Sequence, residues 1–426
     1  MGFIIEPIPE PHKLAALKPL LDHKDDTDFV AKLLDSLNMA NDQASDGGLN
    51  PDLYEALPLK GMDGWPTTFE EYVNYLCVFS RWIPHQSNNQ AWTNPTNPAE
   101  HQEVYDYLCW FYWLIDQPLA SLGGGVLQDI PWFADFLVLW ACDWGKFLDS
   151  TDSFNDAVLD SFRKYSPEYR IEDSMIPEVR HPEKLRPNDP SGRWFSFNQF
   201  FARELNPGLR PIVCLADNAT LSAPADCTYK MAYEIDETGQ IKSPIVLKGT
   251  HTYATVQKLL DKSMYADAFN GGHLIHLFLG PYSYHRFHTP VAGRIVECYP
   301  LVGQVYLQVS LSDGQFEATD SADDGYEFTQ ARGILTIDTK DSPYGDVGVI
   351  AVIPVGMCQV SGVNMTHATG RECNKGDEFG YFTFGGSDII VLTQKGTNPK
   401  WNPAFVDGTN FYSLYGTLLG RVTPFA

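Results

Sequence analysis

Three short segments, far apart along the chain, hold residue types that cooperate in nucleophilic chemistry. Gly385-Gly386-Ser387 closes the stretch GDEFGYFTFGGS. Paired glycines open backbone conformations closed to other residues and leave the Gly386 carbonyl unshielded. The Ser387 hydroxyl can attack that carbonyl if a base removes its proton. Tyr284-His285-Arg286-Phe287-His288-Thr289-Pro290 offers two imidazoles three residues apart. An odd separation in an extended strand puts them on opposite faces, and a bend before Pro290 would let both reach one site. Pro224-Ala225-Asp226 supplies a carboxylate. Together Asp226, His288 and Ser387 form an acid, imidazole and hydroxyl set, in which the acid orients the imidazole and the imidazole takes the serine proton.

Each segment taken singly also has a plainer reading. Gly-Gly-Ser is an ordinary turn sequence, and Asp226 after a proline is a common turn residue. One of the two histidines could be a core residue and the other exposed. No third ligand set of suitable spacing accompanies them, so a metal site is not expected. His273 and His276, also three apart, stay unassigned. Spacing cannot bring the three segments together; the elements that carry them must.

The chain has 426 residues, with 30 Lys plus Arg against 54 Asp plus Glu and a formal net charge of −24. No basic run is present, which argues against nucleic acid as a partner. The mean field also opposes docking on an anionic bilayer. No segment shows 18 uninterrupted apolar residues; the most apolar stretch, Pro131 to Leu148, carries Asp135, Asp143 and Lys146. The N-terminus shows no leader pattern. Eight scattered cysteines without a CxxC pair read as buried free thiols in a reducing compartment, so a cytoplasmic location is expected.

Residues 1–60 read as an N-terminal accessory segment, with a helix over 27–37 that the polar stretch NDQASDGGLNPD breaks. A capping box, Thr67 with Glu70 or Thr68 with Glu71, opens a second helix that stops before Pro84. Aromatic-rich helices follow over 99–115 and 133–148, so 61–193 reads as a helical domain plus a polar linker, 166–193. From about residue 210, short β-branched runs between Gly and Pro signals predict a mainly β half, interrupted by a helix over 253–260. The fold class is therefore α+β, a helical domain followed by a mainly-β domain over 194–426.

FNQFFARELNPGLRPI, SAPAD, LGPYSYHRFHTPVAGRI and KGDEFGYFTFGGS, in that order over roughly residues 195 to 395, resemble the phosphatidylserine decarboxylase family. The resemblance implies a self-processing, pyruvoyl-dependent decarboxylase. Ser387 would attack the Gly386 carbonyl, the chain would part between Gly386 and Ser387, and Ser387 would become the pyruvoyl group, with no pyridoxal phosphate. It further implies His288 as base, Asp226 as its orienting acid and His285 as a proton handler in the mature site. Tyr284 and Phe287 are the candidate substrate contacts.

Three departures bear on the branch. Ser283 stands where the membrane enzymes carry Asp, Cys227 where they carry Gly, and Gly385-Gly386-Ser387-Asp388 replaces their Leu-Gly-Ser-Thr. The Gly-Gly-Ser form resembles the soluble branch, some fungal members of which decarboxylate tryptophan and carry a helical N-terminal extension. The expected substrate is a free L-amino acid, aromatic and tryptophan first. The expected partners are that small molecule and the chain's own fragments, 1–386 and 387–426, without nucleic acid or membrane. Two alternatives stand beside it: a phosphatidylserine decarboxylase, or a chain that does not process and serves as a Ser-His-Asp hydrolase or a binding module.

Overall fold

The computed structural model describes residues 3–93, 101–177, 193–241, 255–318, 329–358, 362–406 and 412–425. Its first part is helical. Helix α1 spans Thr27–Gln43, α2 Phe69–Phe79, α3 Glu103–Trp113, α4 Pro131–Leu148 and α5 Asp156–Tyr165. The capping box is the Thr68 form: Thr68 accepts from the Glu71 amide, and the Glu71 carboxylate accepts from the Thr68 amide at 3.0 Å. Helix α1 runs six residues beyond its expected end, because Asn41, Asp42 and Gln43 tolerate a helix interior; the break comes at Gly47, with φ of 98°.

Residues 1–60 are not set apart from the helices after them. Phe29 packs on Phe133 with ring centroids 5.6 Å apart, the Ser36 hydroxyl donates to Leu114 O, and Trp113 Nε1 donates to Ala40 O. Aromatic rings fill the space between helices: Phe79 touches Trp82, Phe111, Trp140 and Trp144 within 5.6 Å. Part of the expected linker is also packed, since Tyr169 and Ile171 are buried; residues 178–192 lie outside the described residues.

One sequence expectation needs correction. By length and composition the run Ala120–Leu148 is apolar enough to cross a bilayer. In the fold its last part is α4, which buries Phe133, Phe136, Leu137, Trp140 and Trp144 in the shared core and leaves Asp135 and Lys146 exposed.

The second part is sheet. Strands β1 (Cys227–Glu234), β2 (His273–Leu279), β4 (Gly293–Leu301), β7 (Arg332–Asp338), β8 (Val349–Met357), β10 (Glu372–Cys373), β12 (Gly386–Thr393) and β13 (Tyr412–Ser413) form one antiparallel sheet. Their order is β10-β4-β7-β8-β12-β2-β1-β13. β12 is internal, paired on one side with β8 and on the other with β2. Both faces are covered, which is why these strands read as apolar runs without polar alternation. Ile389 and Val391 point into the main core; Ile390 and Leu392 point the other way, into a second core with Ile353, Val355 and the helix α7, Val256–Leu260. Residues 253 and 254 of the expected helix, and the apolar run PIVLKG at 244–249, lie outside the described residues.

A smaller sheet, in the order β9-β11-β3, joins Val363–Met365, Glu378–Phe382 and Arg286–His288. The hairpin of β5 (Val309–Ser312) and β6 (Gln315–Ala318) reaches the helical part. There Val309 N donates to Asp116, and Ala318 N donates to the Tyr105 hydroxyl. Cys142 and Cys214 are exposed, against the expectation of burial.

Replacing Thr68 with Ala removes the side-chain half of the capping box. We expect a loss of about 1 kcal/mol of stability, read as a lower midpoint in urea titration followed by circular dichroism.

Candidate active site

Ser387 lies just past a turn, as the second residue of a strand. β11 stops at Phe382, Thr383 to Gly385 turn the chain, and β12 begins at Gly386. Gly385 has φ of 151°, a conformation that side-chain-bearing residues rarely take. Ser387 is then clasped in register between Gly356 of β8 and Leu279 of β2, and its side chain is fully buried. The junction thus has Gly385 in a turn before it, Gly386 paired with Met357, and a doubly paired strand from Ser387 on.

The imidazole on Ser387 is His285. Ser387 Oγ lies 3.3 Å from His285 Nδ1. His285 Nε2 lies 3.3 Å from Pro281 O. A carbonyl only accepts, so Nε2 carries the proton and Nδ1 faces the serine as the acceptor. The ring stacks on Phe201 of α6 (Phe197–Phe201), with centroids 3.8 Å apart and planes 19° from parallel. Burial, with the Arg203 guanidinium as a lesser cause, lowers the His285 pKa to about 3. The ring is therefore neutral, the form a base requires.

His288 is placed differently from its expected role. Its Nδ1 donates to Gly376 O at 2.9 Å, and its Nε2 accepts from the Tyr284 hydroxyl at 3.1 Å. It stacks on Tyr415, centroids 3.8 Å apart and planes 1° from parallel. Burial lowers its pKa to about 4, with a smaller contribution from Arg286. Asp226 does not orient it. Both Asp226 oxygens face Arg210, at 3.2 Å from Nε and 2.6 Å from Nη2, and Oδ1 also accepts from Tyr415 N at 2.8 Å. The expected acid, imidazole and hydroxyl chain is thus not joined. Tyr415 stands between Asp226 and His288, and His285 holds the place by Ser387. The physical reason is competition: a fork of two guanidinium donors outbids one imidazole N–H for a buried carboxylate.

Tyr284 touches His288 and stacks on Tyr415 at 5.3 Å, so it belongs to that second cluster. Phe287 is fully buried between Phe379 and Phe382, at 4.7 and 5.0 Å, and serves packing. Arg286 and His288 share one face of β3 and Phe287 points to the other. Arg286 donates to Glu378 at 2.6 Å and to Ala202 O at 2.8 Å.

Sequence reasoning missed several residues here. Arg210 lies inside the FNQFFARELNPGLRPI block, and an arginine there is a natural partner for a buried acid. His276 faces Asp388, the residue after Ser387, at 3.4 Å, both buried. The signal was present: a histidine within an otherwise apolar strand, and an acid beside the serine.

Residues 197–407 match the family described as phosphatidylserine decarboxylase. Over this segment the chain is similar to the phosphatidylserine decarboxylase family. Phosphatidylserine decarboxylase proenzyme 2 of Oryza sativa subsp. japonica is 30% identical over 207 residues, covering 49% of this chain and 30% of that protein. L-tryptophan decarboxylase of Psilocybe cubensis is 28% identical over 272 residues, covering 59% of this chain and 60% of that protein. Phosphatidylserine decarboxylase proenzyme of Chlamydia felis is 33% identical over 205 residues, covering 47% and 61%. The chain spans less than two thirds of each of these phosphatidylserine decarboxylase family relatives.

Both histidines bind protons less readily in the fold than the free value of 6.5. The unfolded chain therefore takes up more protons as pH falls below about 6.5, and stability is lost downward through the folded values. We expect the urea midpoint to fall between about pH 7.5 and about pH 5, and to fall less in His285→Asn.

Proposed function

We propose that this protein is a self-processing decarboxylase that makes a pyruvoyl group from Ser387 and acts on a free L-amino acid, aromatic and L-tryptophan first. The observation that carries the processing step is the buried contact of Ser387 Oγ with a neutral imidazole nitrogen, directly after two glycines.

The step balances. His285 Nδ1 takes the Ser387 proton, and Oγ bonds to the Gly386 carbonyl carbon. The Gly386–Ser387 C–N bond breaks, the proton goes to the Ser387 nitrogen, and an ester results. Loss of the Ser387 α-proton expels the Gly386 carboxylate and leaves a dehydroalanine at 387. That residue rearranges to an imine, and one water replaces its nitrogen, which leaves as ammonia. The ketone so formed supplies an electron sink for the charge left when an amino acid loses carbon dioxide. The residues fit such a group: position 387 is held on both sides by backbone pairing, and His285 can hold a proton at its edge.

The amino-acid reading rests on a difference in reach. The match to the Psilocybe cubensis L-tryptophan decarboxylase runs over 272 residues, against 207 and 205 for the two phosphatidylserine decarboxylase proenzymes. It therefore extends beyond the shared family segment. The Gly-Gly-Ser processing site supports the same branch.

We expect purified protein to run as two chains, with fragment 387–426 blocked at its N-terminus, and Ser387→Ala to run as one chain without activity. His285→Asn should slow cleavage and lower turnover at least about 100-fold; cleavage at the normal rate would return the proton-accepting role to His288. Carbon dioxide release measured over the free amino acids and over phosphatidylserine vesicles decides the substrate. Release from the vesicles alone would refute the amino-acid reading, and an intact Ser387 in the wild-type chain would refute processing.

A further inference from the structure

The helical half has no assigned task, yet one of its helices reaches the residues before the scissile bond. Phe384 lies two residues ahead of Gly386, and its ring is enclosed on three sides. Trp144 of α4 meets it edge-on at 5.7 Å, Phe197 at 5.0 Å and Phe201 at 5.2 Å. Its backbone N–H donates to Asn198 Oδ1 at 3.0 Å. The other end of that amide faces the helical half: Asn198 Nδ2 donates to Asp149 Oδ1 at 2.9 Å and to Gly145 O at 3.3 Å. The first amide of α6, Phe197 N, also donates to Ser153 Oγ at 2.9 Å. Asn198 is 4% exposed and its bond from Phe384 N is buried, a setting where losing it is costly.

The physical need is plain. Gly385 lies outside the strands and has no side chain to hold it, so an attacking hydroxyl and its target carbonyl stay aligned only if both flanks of this residue are fixed. β12 fixes the downstream flank. The upstream flank is fixed by Phe384, and Phe384 is fixed by Asn198 and Trp144. The same cluster sets the base, since Phe201 meets Phe384 edge-on and also stacks on His285.

We infer that the N-terminal helical half is an intramolecular clamp for self-cleavage, with Asn198 as the positioning residue that ties the C-terminal end of α4 to the backbone just before Gly386–Ser387. Asn198 touches none of the reacting atoms; it acts through Phe384. This inference rests on the processing reading above.

The test follows newly made full-length chain in cell-free synthesis, with the appearance of fragment 387–426 timed by denaturing electrophoresis. Asn198→Ala should slow cleavage about tenfold or more. Asp149 is exposed, so Asp149→Ala leaves the core untouched; it frees the Asn198 amide and should slow cleavage about threefold. Asp149→Asn keeps an acceptor oxygen and should restore the rate, with thermal midpoints alike in the two Asp149 variants. A merely structural role would instead move the midpoint and the rate together. Cleavage at the wild-type rate in both Asn198→Ala and Asp149→Ala overturns the clamp alone. A wild-type chain that never cleaves overturns the processing reading, and the clamp with it.

Discussion

The structure turns on how residue 387 is held. A buried internal strand starts at Gly386, the second of two glycines, so the Gly386–Ser387 bond lies where a turn becomes a paired strand. Backbone pairing with Gly356 and Leu279 holds Ser387 from both sides. Everything else near the site supplies what pairing cannot. His285 gives a neutral acceptor, Pro281 fixes its tautomer, and Phe201 fixes its plane. Electrostatics follow from the same burial: with water excluded, the imidazoles stay uncharged and the Asp226 carboxylate needs a full guanidinium partner.

The two halves of the chain are less separate than their composition suggests. One hydrophobic core contains Leu33, Trp110 and Phe162 from the helical part together with Leu277, Val352 and Ile389 from the sheet. Polar contacts cross the same boundary: Asp116 and Tyr105 reach the β5–β6 hairpin, and Gln128 reaches Leu307 just before it. Such a buried polar seam specifies one docking geometry, because sliding would leave acceptors unpaired.

How far the sequence could be read follows a physical divide. Periodicity and capping are local, so α2 with its Thr68 box, the aromatic stripe of α4 and the apolar strands β8 and β12 were all legible. The three chemical segments were legible as residue types, and two of them meet, Ser387 with His285. Choice of partner is not local. Whether Asp226 faces His288 or Arg210, or whether Ser387 faces one imidazole or the other, depends on register and on the loop after β2. Spacing fixes which face a side chain takes, and nothing more. Asn198 was hidden for the same reason: its importance lies in joining Asp149 to Phe384, positions remote from each other in sequence.

The place of β12 in the sheet bears on what a cut chain would be. The strand has neighbours on both edges, and its side chains enter two separate cores. Residues downstream of the cut also return to the sheet at β13 and pair with β1. Fragment 387–426 could therefore leave only by stripping hydrogen bonds from both sides and opening both cores at once. In such a cut chain, subunit dissociation and global unfolding would be a single event, the two pieces interlocked with no covalent link at all.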